Sequence, residues 1–379
     1  MNRVAIGYDH EFLILDNKGM AFPSTLIFPR QDKALRLGKA LVYTDGRQGE
    51  HGNTDPNDCR EYTLDDIWHA LRLARDKVDK YNLEHKTKLK VVLADGAPMT
   101  KRAIMRGGRL CMISGCNPDY NAYAVAANPG MEDYADHLFA YAGAHYHVAW
   151  GENRGAFKTM EQWCEAVKVY DRIAGIPMVL LSSGDKLSNQ RRKHYGAAGC
   201  HRVPKGRIEW RVPGADSYRS PAIVSLILYC LRMGMYIITN GGAYTFNRMF
   251  PDELVINTIN NCDKETALKL FLKMLSHGYI ETISDSSPFS KSLAFRYDIG
   301  EDGEIHGTKK CKFSPMKAFM YFATGRGEIG KDWESNWSID TPVDVFQNHG
   351  ETALGFIESA IRYDDEHNGA ISRCVARRW

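Results

Sequence analysis

The stretch Gly7-Tyr8-Asp9-His10-Glu11-Phe12-Leu13 places two carboxylates two residues apart near the start of the chain. Because successive side chains of a β-strand point to opposite faces of a sheet, Asp9 and Glu11 are predicted to share one face. His10 is expected on the opposite face. The pattern predicts a strand over residues 3–15 with one polar face.

Two further stretches show the same spacing. In Gly143-Ala144-His145-Tyr146-His147-Val148 two imidazoles share a face, and in Arg207-Ile208-Glu209-Trp210-Arg211-Val212 a carboxylate stands between two guanidinium groups. Taken singly, these patterns are also typical of a solvated sheet face, a zinc site or a surface ion-pair ladder. Their recurrence in three strands of one chain favours a functional face.

A sheet face that carries Asp, Glu, His and Arg in rows requires water, ions or a ligand to satisfy its polar groups. Carboxylate oxygens suit Mg²⁺ or Mn²⁺, and an imidazole is acceptable to Mn²⁺. Arginines beside such carboxylates suit phosphate groups that bridge to the metal. The residues therefore predict a metal-bound polyphosphate, for which ATP is the common example.

The composition is that of an ordinary globular protein, with 379 residues, 44% of them hydrophobic and 25% charged. Lys and Arg number 49 against 46 Asp and Glu, an excess too small to indicate nucleic-acid binding. The nine cysteines include no Cys-x-x-Cys pair, which argues against a zinc ribbon. We expect a cytoplasmic protein without a membrane partner, in which the apolar residues 222–238 form a buried helix around Arg232.

Periodicity and capping signals predict the other elements. Helices are predicted from Thr63 as an N-cap, and over residues 159–175, 222–238, 263–278, 314–325 and 351–363. Strands are predicted at residues 3–15, 40–44, 90–94, 138–150, 178–182, 207–212 and 293–299, with an exposed hairpin or loop at 301–308. This mixed order favours one compact α+β domain with an antiparallel or mixed sheet.

The polar motifs run in the order Asp9-x-Glu11, Asp45-Gly46 with Glu50, His145-x-His147 and Arg207-x-Glu209-x-Arg211. This order resembles the glutamine synthetase and glutamate–cysteine ligase superfamily, and most closely the phage-encoded carboxylate–amine ligases known as amidoligases of type 2. Further similar stretches are Cys116-Asn117-Pro118-Asp119-Tyr120, Tyr195-Gly196-Ala197-Ala198-Gly199-Cys200-His201-Arg202 and Arg219-Ser220-Pro221. The resemblance marks residues 1–240 as a ligase core, on which a helical part, residues 241–379, is expected to pack.

The resemblance implies a glutamine-synthetase-like fold, with a curved, mostly antiparallel sheet backed by helices. It also implies ATP-dependent formation of an amide or peptide bond. A substrate carboxylate attacks the γ-phosphate of ATP, and an amine then displaces phosphate from the acyl phosphate. The implied substrates are small-molecule or peptide carboxylates and amines, and a modified nucleobase is left open as acceptor. The resemblance is also compatible with a homo-oligomeric protein. A phage-encoded protein of this family would be located in the cytoplasm of the infected bacterial host.

The resemblance also implies roles for individual residues. The implied ligands of Mg²⁺, or of Mn²⁺, are Asp9, Glu11, Glu50 and Glu209, with His145 as a further ligand or near neighbour. His147 is expected near the nucleotide or the acyl acceptor. Arg207, Glu209 and Arg211 form the implied catalytic group around the transferring phosphoryl group. Arg202, and also Arg191 or Arg192, are expected on the ATP phosphates or the substrate carboxylate.

Two positions depart from the family pattern. Many relatives carry Glu-x-Glu on the first strand, where this chain has the shorter Asp9. Glu50 lies in Gly49-Glu50-His51-Gly52-Asn53, where it is equally compatible with a metal ligand and with a solvated loop glutamate.

Several other functions can be compared with the ligase. The sequence lacks the Gly-x-x-x-x-Gly-Lys-Ser/Thr phosphate loop, a Gly-x-Gly-x-x-Gly after a strand and the Gly-x-Ser-x-Gly elbow. P-loop, Rossmann and serine hydrolase functions are thereby disfavoured. A phosphotransferase of the same fold that forms no amide, and a phage interaction protein with a degenerate ligase fold, remain alternatives.

Overall fold

A computed structural model describes residues 4–54, 60–113, 119–128, 134–150, 157, 159–182, 186–218, 221–276, 295–299 and 305–310. The predicted helices at 314–325 and 351–363, and the motif residues Cys116 to Pro118, Arg219 and Ser220, lie outside these residues. The strands, in chain order, are β1 (Val4–Leu15), β2 (Leu35–Leu37), β3 (Ala40–Asp45), β4 (Gln48–Asn53), β5 (Lys90–Val92), β6 (Gly96–Pro98), β7 (Tyr120–Asn121), β8 (Ala126–Ala127), β9 (Phe139–Tyr141), β10 (Ala144–Trp150), β11 (Cys200–Arg202), β12 (Ile208–Trp210), β13 (Phe295–Ile299) and β14 (Ile305–Lys310). The helices are α1 (Arg60–His85), α2 (Lys101–Gly107), α3 (Arg109–Met112), α4 (Met160–Tyr170), α5 (Ile176–Leu181), α6 (Lys186–His194), α7 (Pro221–Thr239), α8 (Ala243–Arg248), α9 (Asp252–Asn260) and α10 (Lys264–Ser276).

A ten-stranded sheet forms the centre of the fold. Its strand order is β2-β3-β4-β1-β10-β12-β11-β7-β8, and β5 pairs with the far end of β1. The paired strands run antiparallel. The prediction of an α+β fold with a mostly antiparallel sheet is therefore confirmed.

The pairing register brings the polar positions of different strands side by side. The residues that face one another directly are Asp9 with His145, Glu11 with Glu50, His147 with Glu209, and Glu209 with Arg202. Directly opposed residues of an antiparallel pair project to the same side of the sheet. The three alternating stretches of the sequence therefore contribute to one face, which we call the polar face.

Helices cover the other face of the sheet. Helix α1 packs on β3 and β4, α7 contacts β1, and α4 contacts β12. The side chains that project from the strands towards these helices are buried, among them Tyr8, Tyr146, Ile208 and Trp210. Removal of this large apolar surface from water stabilises the arrangement and leaves the polar face for other contacts.

Helix α1 shows the predicted period but not the predicted start. Ile67, Leu71, Ala74 and Val78 are buried, as their spacing indicates. The helix already begins at Arg60, so Thr63 lies inside it and is not its N-cap.

The helix predicted at residues 159–175 begins as expected. The Thr159 hydroxyl accepts a hydrogen bond from the Gln162 amide (3.3 Å), and the Thr159 amide donates to the Gln162 side chain (3.4 Å). This is the predicted capping box.

The predicted end of this helix, and the strand predicted at residues 178–182, are wrong. Helix α4 continues through a π-helical turn, Asp171–Gly175, into α5. Gly175 has right-handed helical angles, and a Cβ atom there would lie 3.0 Å from Ile259 Cδ1, so this glycine permits close packing instead of ending the helix. Pro177, which has no backbone N–H to donate, lies directly after the π-helical turn, where the regular helical hydrogen-bond pattern is already interrupted.

The remaining predicted elements are largely confirmed. The strand predicted at 138–150 is divided into β9 and β10, and the strand at 207–212 is shortened to β12. Helix α7 covers the predicted buried helix. In the described part of the chain no helix is both long and apolar enough to cross a membrane. Helix α8 packs on α4, and helix α10 packs on α5. Strand β13 pairs with β14 near residues 301–308, where an exposed hairpin or loop was predicted.

Asp171, the first residue of the π-helical turn, is fully buried. Its carboxylate accepts hydrogen bonds from the Trp210 indole Nε1 (2.8 Å) and the Gly199 amide (2.6 Å). Burial nevertheless raises the pKa of Asp171 to about 6 from its ordinary 3.8. A carboxyl group whose pKa is raised in the native state lowers stability as the pH rises through this interval.

The free energy of unfolding of the wild type, relative to Asp171→Asn, should therefore fall by about 2 kcal/mol between pH 4 and pH 7. Urea denaturation at the two pH values measures this difference. The exposed Asp76, substituted in the same way, should show no such change. A difference between wild type and Asp171→Asn that is independent of pH would contradict the assignment.

Candidate functional site

The polar face carries nine of the residues predicted for the site. These residues are Asp9, Glu11, Glu50, His145, His147, Arg202, Arg207, Glu209 and Arg211. They come from five neighbouring strands and from the residues that directly flank β12. The antiparallel register therefore joins motifs that are separated by up to two hundred residues in the chain.

Four carboxylates form the acidic part of this face: Asp9 and Glu11 on β1, Asp45 on β3 and Glu50 on β4. We call them the acidic group. Burial raises the pKa of Glu50 well above its ordinary value, and Asp45, Asp9 and Glu11 raise it further. The four groups are thus close enough to repel one another, as expected of carboxylates arranged around a cation.

Glu50 lies in strand β4 opposite Glu11, and its side chain is half-buried. Tyr43 Oη donates a hydrogen bond to Glu50 Oε1 (2.6 Å). The structure therefore excludes the alternative of a solvated loop glutamate. Whether Glu50 binds metal stays a prediction.

Glu11 is held by hydrogen bonds from three directions. The Gly143 amide donates to its Oε2 (2.6 Å), the Tyr195 hydroxyl donates to the same oxygen, and Gln48 Nε2 donates to Oε1 (3.3 Å). Burial and nearby Asp45 raise the pKa of Glu11 despite these donors. The carboxylate is therefore fixed in place, with its oxygens already partly engaged.

His147 connects the acidic group to the arginines. Its Nε2 lies 2.6 Å from Asp9 Oδ2, and Arg207 Nε donates to its Nδ1 (2.9 Å). Because Nδ1 accepts from Arg207, the proton of the imidazole lies on Nε2 and is donated to Asp9. Burial opposes ionisation of Asp9, but the hydrogen bond from His147 and the charges of Arg207 and Arg211 lower its pKa below the ordinary value.

His145 is the second imidazole of the face and is buried. Burial and the neighbouring Arg211, Arg191 and Arg202 lower the pKa of His145 well below its ordinary value. Its Nε2 has no hydrogen-bond partner among the described residues. A neutral imidazole with an unengaged nitrogen can accept a proton or bind a metal ion.

Arginines occupy the other part of the face. Arg211 donates a hydrogen bond to Glu209 and lies 3.5 Å from Asp119 Oδ2, whereas Arg202 Nη1 lies 3.8 Å from Glu209 Oε1. Glu209 and Arg211 are both buried. Glu209 is thus paired with two guanidinium groups, which favours a role in orienting them; its predicted role as a metal ligand stays a prediction.

Arg191 does not bind a ligand in the manner expected from the sequence. It is fully buried and donates to the carbonyl oxygens of Arg211 (3.3 Å), Val212 (3.1 Å) and Pro213 (2.7 Å). Arg192 is also buried and donates to Asn189 Oδ1 (3.3 Å) and Ser182 Oγ (3.4 Å). Both side chains are engaged within the protein, and Arg191 fixes the segment that carries Arg211.

The residues of the acidic group fit a divalent cation by their chemistry. Carboxylate oxygens are the ligands that Mg²⁺ prefers, and the mutual repulsion that raises the pKa of Glu50 would be relieved by a cation. Among the residues that the structure describes, no three His, Cys, Asp or Glu side chains already converge on one point in a metal-binding arrangement. Cation binding would therefore involve some rearrangement of these side chains.

Sequence reasoning assigned no role to Tyr43, Asp45, Gln48, Asp119 or Tyr195, which all contact or belong to the site. One signal was present for three of them. On β3, Tyr43 and Asp45 are two positions apart, and on β4 the same spacing separates Gln48 and Glu50. Tyr195 and Asp119 carry no such signal, because they reach the site from outside the alternating strands.

Comparison with protein-family models and with curated proteins found no match to this chain. A functional assignment must therefore depend on the residues and the geometry of the polar face.

The raised pKa of Glu50 has a consequence for stability. A carboxyl group of this kind lowers the free energy of unfolding once the pH exceeds its ordinary pKa of 4.5, and the loss grows with pH. Glu50→Gln removes this loss and keeps an oxygen for Tyr43. In metal-free buffer at pH 8 the substitution should raise the free energy of unfolding, and the increase should be smaller at pH 5.

Urea denaturation in the presence of a chelator measures both values. Glu84, whose side chain is 56% exposed near the end of α1, offers the matched control Glu84→Gln and should show no stabilisation. Destabilisation by Glu50→Gln at pH 8 would show that the carboxylates do not repel one another as inferred.

Proposed function

We propose that this protein is an ATP- and Mg²⁺-dependent carboxylate–amine ligase with a glutamine-synthetase-like fold, similar to the phage amidoligases. The observation that carries the proposal is the division of one sheet face into two adjoining parts. The acidic group on β1, β3 and β4 offers ligands for a cation, and Arg202, Arg207 and Arg211 offer positive charge for phosphates. His147 joins the two parts through its contacts with Asp9 and Arg207.

This division suits the transfer of a phosphoryl group to a carboxylate. A substrate carboxylate oxygen attacks the γ-phosphorus of ATP, the bond to ADP breaks, and an acyl phosphate forms. The amine nitrogen then attacks the acyl carbon, and phosphate leaves with the electrons of the broken C–O bond. Both steps need positive charge fixed beside the phosphoryl oxygens, because catalysis of this kind consists largely of positioning and charge stabilisation.

The arginines, carboxylates and His145 of the polar face have different roles in this reaction. Arg202 and Arg207 are half-buried, so their guanidinium groups combine partial exposure with a fixed position. Glu209 and Arg191 hold Arg211 in place. Mg²⁺ bound by Asp9, Glu11 and Glu50 would neutralise phosphate charge. His145 Nε2 can serve as a neutral nitrogen ligand of the metal, because its low pKa keeps the ring unprotonated. The proton of the amine can leave with the phosphate.

Two other functions use the same face and are distinguished by the products. A phosphotransferase would release ADP and leave a stable phosphorylated product, whereas a ligase releases ADP, free phosphate and an amide. A non-catalytic interaction protein would show no binding of Mg-ATP. Incubation with Mg-ATP and a bacterial metabolite extract, followed by mass spectrometry and phosphate determination, separates the three.

The most direct variant is Arg202→Gln, because Glu209 retains Arg211 as a partner and the folded state is not left with an unpaired buried charge. Loss of a hydrogen bond to a charged phosphate should weaken Mg-ATP binding about 10–100-fold. Calorimetric titration of the protein with Mg-ATP measures this change.

Arg248→Gln is the matched control, since Arg248 is exposed on α8 and its side chain donates a hydrogen bond to Tyr244 within the same helix. It should bind Mg-ATP as the wild type does. Equal binding by Arg202→Gln and the wild type would remove Arg202 from the site. Absence of binding to the wild type at millimolar Mg-ATP would contradict the proposed function itself.

A further inference from the structure

A cavity of about 450 Å³ opens beside the acidic group. Its lining includes Arg30, Gln31 and Asp32 on one side and Asp45 with Gly46 at the end of β3. A volume of this size lies at the small end of the range found for small-molecule sites. The cavity is therefore large enough for a small metabolite and lies next to the proposed reaction centre.

Short hydrogen-bonded chains link the cavity lining to the acidic group. Gln48 Nε2 lies 3.3 Å from both Asp45 Oδ2 and Glu11 Oε1. On the opposite side Gln31 Nε2 donates to Tyr43 Oη (3.3 Å), which itself donates to Glu50. A ligand in the cavity would thus lie one side chain away from Glu11 and Glu50.

The cavity presents both signs of charge. Arg30 and Asp32 lie at the 3₁₀ turn Gln31–Lys33, and both are exposed. Neither side chain has a hydrogen-bond or ion-pair partner among the described residues. Asp45 adds a second carboxylate on the side of the acidic group. Such a lining complements a small molecule that carries one carboxylate and one ammonium group.

The positions of Arg30 and Asp45 on two sides of the cavity determine the orientation of the ligand. A ligand carboxylate placed against Asp45 would be repelled by it, whereas an ammonium group would be attracted. The ammonium end is therefore expected towards Asp45, and the carboxylate end towards Arg30. In this orientation the nitrogen is the end that faces the proposed reaction centre.

We propose that this cavity is the binding site of the amine substrate and that this substrate is a free amino acid, with its carboxylate on Arg30 and its amino group beside Asp45. This inference deepens the proposed ligase function and rests on it. Arg30 is accordingly a specificity-determining residue, which selects an amine that carries a carboxylate over a simple amine.

Ligand-observed NMR with the full chain tests the site without knowledge of the acid substrate. The probes are the common amino acids at millimolar concentration, their carboxamides, which lack the carboxylate, and their N-acetyl derivatives, which lack the ammonium group. We expect at least one amino acid to bind, and its two derivatives to bind at least about 10-fold more weakly.

Arg30→Gln should weaken binding of that amino acid about 10–100-fold and leave Mg-ATP binding unchanged. The control Arg36→Gln, at an exposed position on β2 that does not line the cavity, should bind the amino acid as the wild type does. The inference is overturned if no amino acid binds, if the carboxamide binds as tightly as the acid, or if Arg30→Gln has no effect.

The separate Mg-ATP titration distinguishes this failure from failure of the ligase function. Binding of Mg-ATP without any amino acid overturns the assignment of the cavity alone. Binding of an amino acid that depends on Arg30, without binding of Mg-ATP, overturns the ligase function and the substrate role while the amino-acid site stands.

Discussion

The antiparallel register between β1 and β10 is the constraint on which the rest of the structure depends. It sets Asp9 opposite His145 and leaves Tyr8 and Tyr146 on the face that the helices cover. Because side chains alternate with a period of two, a slip of one residue would bury the carboxylates of β1 against helices and expose the aromatic side chains. Burial of the apolar face therefore also fixes the position of the polar groups.

Buried arginines fix the segments around the sheet. Arg47, Arg172 and Arg191 are almost completely buried, and each donates to two or more main-chain carbonyl oxygens. A guanidinium group with several fixed donors can satisfy carbonyls at the ends of different elements. Arg211 differs, since its side-chain partners are the carboxylates of Glu209 and Asp119. The interior thus uses arginine for structure, whereas Arg202, Arg207 and Arg211 face the site.

The sequence allowed the polar face to be predicted because alternation is a local signal, and β1, β10 and β12 each carry it. It did not allow the helix at residues 176–181 to be predicted, because a short apolar run fits a strand and a buried helix equally well. Tyr195 was missed for a different reason. It contacts Glu11 from 184 residues away, so its role depends on tertiary packing and leaves no periodic trace. The glutamine-synthetase-like fold and the ligase function remain proposals.

The division of the polar face into carboxylates for a cation and arginines for phosphate is tested most directly by crystallography with Mn²⁺ and a non-hydrolysable ATP analogue. Anomalous scattering identifies the manganese position independently of the nucleotide. We expect manganese within about 2.5 Å of carboxylate oxygens from at least two of Asp9, Glu11 and Glu50, with phosphate oxygens at Arg202 or Arg207. Manganese and nucleotide bound away from the polar face, or no binding of either, would contradict this division.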